Sequence, residues 1–218
     1  MLERITRREE ADLFVAWVAI SIAFAIIFIA PGGFLGSGLK VTPLAGVMFF
    51  IISFFTVGIG FILHEMAHKF SAIHFGFWAE FKKDDIMLLI AVVMAALVGF
   101  VFAAPGATVI YSNPASGGGI TKRINGIISA SGPVTNLLLC IPFAALLVIA
   151  GGKTGLESGN ILSLIGIVGI QVNAMIAAFN LLPISVLDGK KVLAWNIPVF
   201  IVLIVAAFGL LVGSFYYL

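Results

Sequence analysis

The stretch FILHEMAHKF, residues 61–70, places two histidines and a glutamate in a run where almost every other residue is apolar. His64 and His68 are four residues apart, so on a helix their imidazoles lie on the same face. This is the spacing with which two imidazoles bind one zinc ion, and Glu65 lies beside them to accept a proton from water at the metal. The alternative interpretation is a helix end whose histidines lie at a membrane interface.

The composition around this stretch is that of an integral membrane protein. Of the 218 residues, 61% are hydrophobic and 10% are charged, and the mean hydropathy is +1.21. Soluble domains average about 25% charged residues. The net charge of +2 and the short basic runs give no indication of nucleic-acid binding. Ionisable side chains inside membrane spans are rare and usually functional, which favours the metal site over the interfacial alternative.

Five segments are long and apolar enough to span a membrane, which takes about 20 residues. They are residues 13–30, 44–73, 127–150, 161–182 and 197–217, separated by stretches rich in glycine and proline. We interpret the chain as one integral membrane domain, residues 1–218. It comprises an N-terminal helix at 11–31, a core at about 44–193 and a C-terminal helix at 197–217.

A sixth apolar segment, residues 86–104, is ambiguous. It runs into GFVFAAPGATVIYS, residues 99–112, where β-branched and aromatic residues flank a Pro-Gly turn signal typical of a hairpin. We therefore predict an all-α polytopic membrane protein with five or six transmembrane helices. A re-entrant or β-hairpin element is expected between the second and third spans.

The distribution of basic residues favours five spans. If residues 86–104 do not cross the membrane, ten of the 12 lysines and arginines lie on one side, and only Lys40 and Lys153 lie on the other. The ten are Arg4, Arg7, Arg8, Lys69, Lys82, Lys83, Lys122, Arg123, Lys190 and Lys191. Because basic residues concentrate on the cytoplasmic side, we expect a multi-pass cell-membrane protein whose candidate site opens to the cytoplasm.

A catalytic zinc ion usually has three protein ligands, so the two histidines need a partner. His74 would lie on a different helix face from His64, and the acids in residues 80–85 adjoin lysines and look like a solvated turn. Asp188, in NLLPISVLDGKK, follows a span that is broken at Pro183. Irregular backbone at membrane depth is tolerated only around a protein-lined cavity, so Asp188 is the predicted third ligand.

Three segments together resemble the site-2 protease family of intramembrane zinc metalloproteases. HEMAHKFSAIHFG, residues 64–76, is similar to that family's HExxH helix, and SGPVTNLLL, residues 131–139, to its Gly-Pro-x-x-Asn helix start. NLLPISVLDGKKV, residues 180–192, is similar to its Asn-x-x-Pro…Leu-Asp-Gly motif. The resemblance covers residues 44–193, most of the chain.

The resemblance implies that His64, His68 and Asp188 bind one Zn²⁺ and that Glu65 is the general base. Asn136 looks like the family asparagine that faces the substrate near the metal, although it also fits a polar residue that packs helices. Asn180 is expected to cap the broken helix. The implied reaction is hydrolysis of peptide bonds within or near transmembrane segments of protein or peptide substrates, in the lipid bilayer.

The sequence departs from the family pattern at Ser185 and Val186, where proline is common, and in a longer stretch between the first two motifs. A metal-ion transporter is an alternative, although the chain lacks the repeated halves common in such proteins. An inactive relative that binds membrane partners is another, although Glu65 is intact. Two histidines and a carboxylate would also suit iron or cobalt. No oligomeric state is predicted.

Overall fold

The computed structural model describes residues 5–36, 43–101, 106–111, 119–184 and 186–217. These residues form nine helices and one two-stranded sheet. In chain order the elements are α1 (Arg7–Ile29), α2 (Gly33–Gly36), α3 (Pro43–His74), β1 (Trp78–Lys83), α4 (Asp85–Val98), β2 (Gly106–Tyr111), α5 (Lys122–Ile149), α6 (Gly152–Glu157), α7 (Ile161–Asn180), α8 (Asp188–Trp195) and α9 (Ile197–Tyr217).

Among the described residues, five helical segments are long and apolar enough to cross a membrane. Each coincides with a predicted span: α1 continued through α2, then α3, α5, α7 and α9. The ambiguous sixth segment forms α4, whose 14 residues extend over about 21 Å at about 1.5 Å per residue. The hydrocarbon core of a bilayer is about 30 Å thick, so α4 is too short to cross it. The chain is therefore a helical, multi-pass integral membrane protein.

The sheet lies between the second and third spans in chain order, as predicted, and pairs β1 with β2. Gly106, which opens β2, lies so close to the backbone of Lys82 and Lys83 at the end of β1 that a side chain would overlap it. The two strands therefore run antiparallel. Of the hairpin expected in residues 99–112, residues 106–111 form β2, which pairs with β1 across α4. The turn expected at Pro105 lies outside the described residues.

The first strand corrects the interpretation of residues 80–85 as a solvated turn. Glu80 belongs to β1, and Ala79 and Phe81 on either side of it are fully buried. Asp84 caps α4, where its side chain accepts hydrogen bonds from the N–H groups of Ile86 and Met87 at 3.0 Å each. The strand was missed because charged residues occupy its more exposed positions and conceal the two-residue alternation of burial.

The chain divides into two compact units. The first draws on Met1–Ile62 and Glu80–Val109, and the second on Leu63–Ala79 and Ile110–Leu218. The continuous helix α3 and both strands contribute residues to both units. The interpretation of residues 1–218 as one integral domain stays a prediction.

In the first unit, polar contacts fix α1 to its neighbours. Glu9 is wholly buried, and its carboxylate accepts a hydrogen bond from the backbone N–H of Phe81 at 3.0 Å. The Trp17 indole Nε1 donates to the Phe54 carbonyl at 2.7 Å, and the two rings stack with centroids 4.6 Å apart. Gly58, one turn further along α3, leaves room for this indole, because a Cβ at that position would overlap it.

In the second unit, glycines let α5 and α7 approach closely. A Cβ at Gly166 would lie 2.8 Å from the backbone nitrogen of Leu147, and one at Gly169 would overlap the Phe143 ring. Helices in membranes associate chiefly through such close van der Waals packing, which small residues permit. The close packing of these two helices positions their buried polar residues, Asn136 on α5 and Asn173 on α7.

The end of α3 is fixed to α5 by a small apolar cluster. Ala72, Ala79 and Ile128 are buried together, and Phe75 and Phe77 pack around them. Because Ala72 lies one turn beyond His68, this cluster also sets the position of the predicted metal-binding face of α3.

Replacing Gly58 by alanine should destabilise the protein, because the methyl group would displace the Trp17 indole and break its hydrogen bond to Phe54. We expect the free energy of unfolding to fall by about 1–3 kcal/mol, the usual cost of overpacking. Thermal unfolding of the purified protein in detergent measures the change.

Gly46→Ala is the matched control on the same helix, because within the part of the chain that the structure describes its Cβ would meet only Ile29 Cδ1, at 4.0 Å. This variant should keep the wild-type midpoint or raise it slightly, since alanine is the better helix former. Equal midpoints for the two variants would contradict the packing described for Trp17.

Candidate metal centre

Two elements of the second unit bring the three predicted metal ligands together. His64 and His68 lie one turn apart on α3, and Asp188 is the first residue of α8. Asp188 Oδ2 lies 3.0 Å from His68 Nε2 and 3.4 Å from His64 Nε2, and the two imidazole Nε2 atoms are 3.0 Å apart. All three side chains are buried.

These separations match the donor spacing of a zinc site. Ligand atoms about 2.0–2.1 Å from a tetrahedral zinc ion lie about 3.3–3.4 Å from one another. The three atoms of this cluster lie 3.0, 3.0 and 3.4 Å apart. The side chains therefore need little movement to hold one ion, and three protein ligands leave a fourth position open.

Hydrogen bonds fix which imidazole nitrogen of each histidine faces the cluster. His68 Nδ1 lies 2.7 Å from the backbone carbonyl of Ile128, which can only accept, so this nitrogen carries the proton. His64 Nδ1 lies 2.6 Å from the amide oxygen of Asn136. A neutral imidazole protonated at Nδ1 presents a lone pair at Nε2, the form that binds a metal.

The result is a convergence of acceptors. Two Nε2 lone pairs and the Asp188 carboxylate meet within 3.4 Å in a buried position. Groups of this kind repel one another when desolvated, and a cation among them removes the repulsion. Imidazole nitrogens with a carboxylate oxygen are ligands of catalytic zinc sites, so the residues present fit a zinc ion.

Gly132 keeps the space beside the ligands open. A Cβ at this position would lie 2.6 Å from His68 Cε1 and 2.7 Å from His64 Cε1, and closer still to His68 Nε2. Any side chain here would therefore occupy the space in front of the donor atoms. This close approach of α5 gives a physical reason for the glycine in SGPVTN.

A second glycine places Asp188. Helix α7 ends at Asn180, shortly before Pro183, and the chain turns back into α8. A Cβ at Gly189 would overlap the carbonyl of Leu181, so only glycine allows the turn to close this tightly. The break predicted at Pro183 is confirmed, whereas Ser185 lies outside the described residues.

The charge of Asp188 is held by its neighbours. Burial alone raises the pKa of this carboxyl group. When the imidazoles are also protonated at Nε2, the charges and hydrogen bonds of His68 and His64 outweigh burial and hold the pKa well below its usual range. Lys191, one turn along α8, lies with Nζ 3.6 Å from Asp188 Oδ1. One carboxylate oxygen thus faces the histidines and the other an amine. Lys191 was not predicted, although its i,i+3 spacing from Asp188 was a usable signal.

The other predicted residues take different places. Glu65 is buried and follows His64 directly on α3. The Asn180 amide donates to the Ile176 carbonyl in the last turn of α7, at 3.0 Å. His74 is the exposed last residue of α3 and packs against Phe75, outside the cluster.

Two proteins with assigned names are similar to this chain over most of its length. The protein named "Putative zinc metalloprotease MJ0611", from Methanocaldococcus jannaschii, is 35% identical over 193 residues, which cover 88% of this chain and 87% of the relative. "Putative zinc metalloprotease YwhC", from Bacillus subtilis, is 28% identical over 174 residues, which cover 72% of each.

No protein-family model matches the chain, and no solved structure matches it significantly. The similarity to MJ0611 is nevertheless strong and extends along nearly the whole of both chains. With its buried cluster of two histidines and an aspartate, the chain belongs to the same zinc metalloprotease family as MJ0611.

Proposed function

We propose that this protein is an intramembrane zinc metalloprotease of the site-2 protease type, which hydrolyses peptide bonds within or near transmembrane segments of its substrates. The observation that carries the proposal is the convergence of His64, His68 and Asp188 in a protein with five helices apolar enough to span a membrane. Because the cluster is buried in a membrane protein, it suits substrates that are themselves held in the bilayer. Hydrolysis also requires water at the cluster.

The residues around the cluster have different roles in the proposed reaction. When bound, a zinc ion lowers the pKa of water and polarises the scissile carbonyl group. Glu65 accepts the proton of the attacking water and delivers it to the leaving amine. Asn136 was expected to face the substrate, but its hydrogen bond to His64 supports a positioning role. A catalytic role for Asn136 stays a prediction.

We further propose that the site opens to the cytoplasmic side. Ten of the 12 basic residues share one side in the five-span arrangement, and Lys190 and Lys191 immediately follow the Asp-Gly pair that begins α8. The positive-inside rule places that side in the cytoplasm. Arg4 and Lys40, which enter this count, lie outside the described residues.

Glu65→Gln should abolish cleavage but leave the metal in place, because the amide cannot accept the proton and Glu65 is not among the three clustered donors. We expect cleavage of a transmembrane peptide in detergent to fall at least about 100-fold, in line with the loss of a general base. Zinc content, measured by mass spectrometry, should stay at about one ion per chain.

Glu157→Gln, at the exposed last residue of α6, is the control and should behave as wild type. Cleavage by Glu65→Gln at the wild-type rate would overturn the assignment of Glu65 as the general base. Wild-type zinc binding without any cleavage would favour the metal transporter or the inactive relative.

Asp188→Ala should lose zinc, because only two donors remain and Nε2 of each histidine no longer faces a carboxylate. Zinc per chain is measured after gel filtration in metal-free buffer. Asp85→Ala, at an exposed aspartate, should retain the ion. Retention of zinc by Asp188→Ala would show that another residue completes the site.

Gly132→Ala should also lose zinc, although it removes no ligand, because its methyl group would fill the space beside His68 Nε2. Gly209→Ala, on α9, is the control because a Cβ there meets no atom of the described residues within 4 Å. Zinc per chain is measured for both variants after gel filtration in metal-free buffer. Full zinc content in Gly132→Ala would mean that α5 lies further from the ligands than described.

A further inference from the structure

A buried asparagine on α7 has no place in the site described so far. Asn173 is wholly buried in GIQVNAMIAAF, in the middle of a span. An amide in such surroundings is costly unless its donors and acceptors are paired. Its hydrogen bonds lead from the backbone of α7 to the candidate metal ligand His64.

The bonds form a continuous chain. The Asn173 amide nitrogen donates to the Gly169 carbonyl at 2.8 Å, and its oxygen accepts from the amide nitrogen of Asn136 at 2.9 Å. The Asn136 oxygen in turn lies 2.6 Å from His64 Nδ1. Asn136, like Asn173, is wholly buried.

The donor and acceptor order of these hydrogen bonds is fixed at the Gly169 carbonyl. A backbone carbonyl can only accept, so the end of the Asn173 amide that faces Gly169 is its nitrogen. Its oxygen therefore faces Asn136 and requires a donor there. The Asn136 nitrogen must point to Asn173 and its oxygen to His64, which makes His64 Nδ1 the protonated nitrogen.

The reverse orientation would disable the ligand. If the Asn136 nitrogen faced His64, Nδ1 would have to accept, and the imidazole proton would move to Nε2. That proton would then point at Asp188, where the metal is expected. An amide side chain can present either end, so Asn136 needs a neighbour with a fixed polarity.

We propose that Asn173 is a positioning residue that selects Nε2 of His64 as the metal-binding nitrogen by holding the Asn136 amide in one orientation. His68 needs no such relay, because the Ile128 carbonyl binds its Nδ1 directly. The inference rests on the proposed metal site and extends it to a helix that contributes no ligand.

Asn173→Leu tests the relay, with zinc affinity as the readout, measured by competition with a chromophoric chelator. We expect the affinity to fall about 10- to 100-fold, the usual effect of losing a partner behind a metal-binding histidine. Asn136→Leu should lower it similarly. The double variant should lose little more, because both substitutions break one chain of bonds.

Asn136→Asp separates positioning from general damage to the fold. A carboxylate can only accept, so it holds the proton on His64 Nδ1 without help from Asn173. Asn136→Asp should bind zinc more tightly than Asn136→Leu. In the Asn136→Asp background, Asn173→Leu should no longer lower the affinity.

Gln171→Leu is the matched control, because Gln171 is a buried amide on the same helix whose Nε2 has no hydrogen-bond partner among the described residues. It should bind zinc as wild type does. Thermal unfolding of each metal-free variant reports whether the fold is intact.

Two results would overturn the inference while leaving the proposed function intact. One is wild-type zinc affinity in a folded Asn173→Leu variant, and the other is an equal loss of affinity from Asn173→Leu in the Asn136→Asp background. Failure of the proposed function looks different, since the wild-type protein would then bind no zinc or cleave no substrate.

Discussion

The candidate site depends on one electrostatic constraint. Three acceptor atoms, from His64, His68 and Asp188, are held within 3.4 Å of one another in a buried position where water does not solvate them. Such an arrangement is costly unless a cation joins it. The fold holds these three candidate ligands in positions that fit one ion, which is the preorganisation that a catalytic site requires.

In the second unit, glycines allow backbone segments to lie close enough together to hold the three acceptor atoms in place. Gly132 brings α5 against the imidazoles, and Gly189 lets the chain turn tightly enough to place Asp188 at the start of α8. Gly166 and Gly169 do the same for the packing of α5 on α7. Because hydrophobic burial adds little to helix association within lipid, small residues and buried hydrogen bonds are left to specify these positions.

Buried polar side chains in this unit are connected to one another and to the backbone. The hydrogen bonds of both candidate ligand histidines end at backbone carbonyls, directly for His68 at Ile128 and through Asn136 and Asn173 for His64 at Gly169. A backbone carbonyl can only accept a hydrogen bond, so it fixes which end of each group in the series donates and which accepts. At the histidine, this requires the proton to be on Nδ1. The backbone of the spanning helices thereby sets the protonation pattern of the site.

Sequence alone was enough to predict the five spans and the pairing of His64 with His68, because hydrophobic length and four-residue spacing are local properties. Asp188, 120 positions after His68, was reached through the helix break at Pro183 and a resemblance between motifs. The strand β1 and its pairing across α4 were missed, since strand partners depend on contacts distant in the chain. The connection of Asn173 to the site, and the choice of the imidazole nitrogen that faces Asp188, were decided only by the tertiary structure. A lone asparagine in an apolar helix carries no spacing signal, and the direction of a hydrogen bond exists only once two helices have packed.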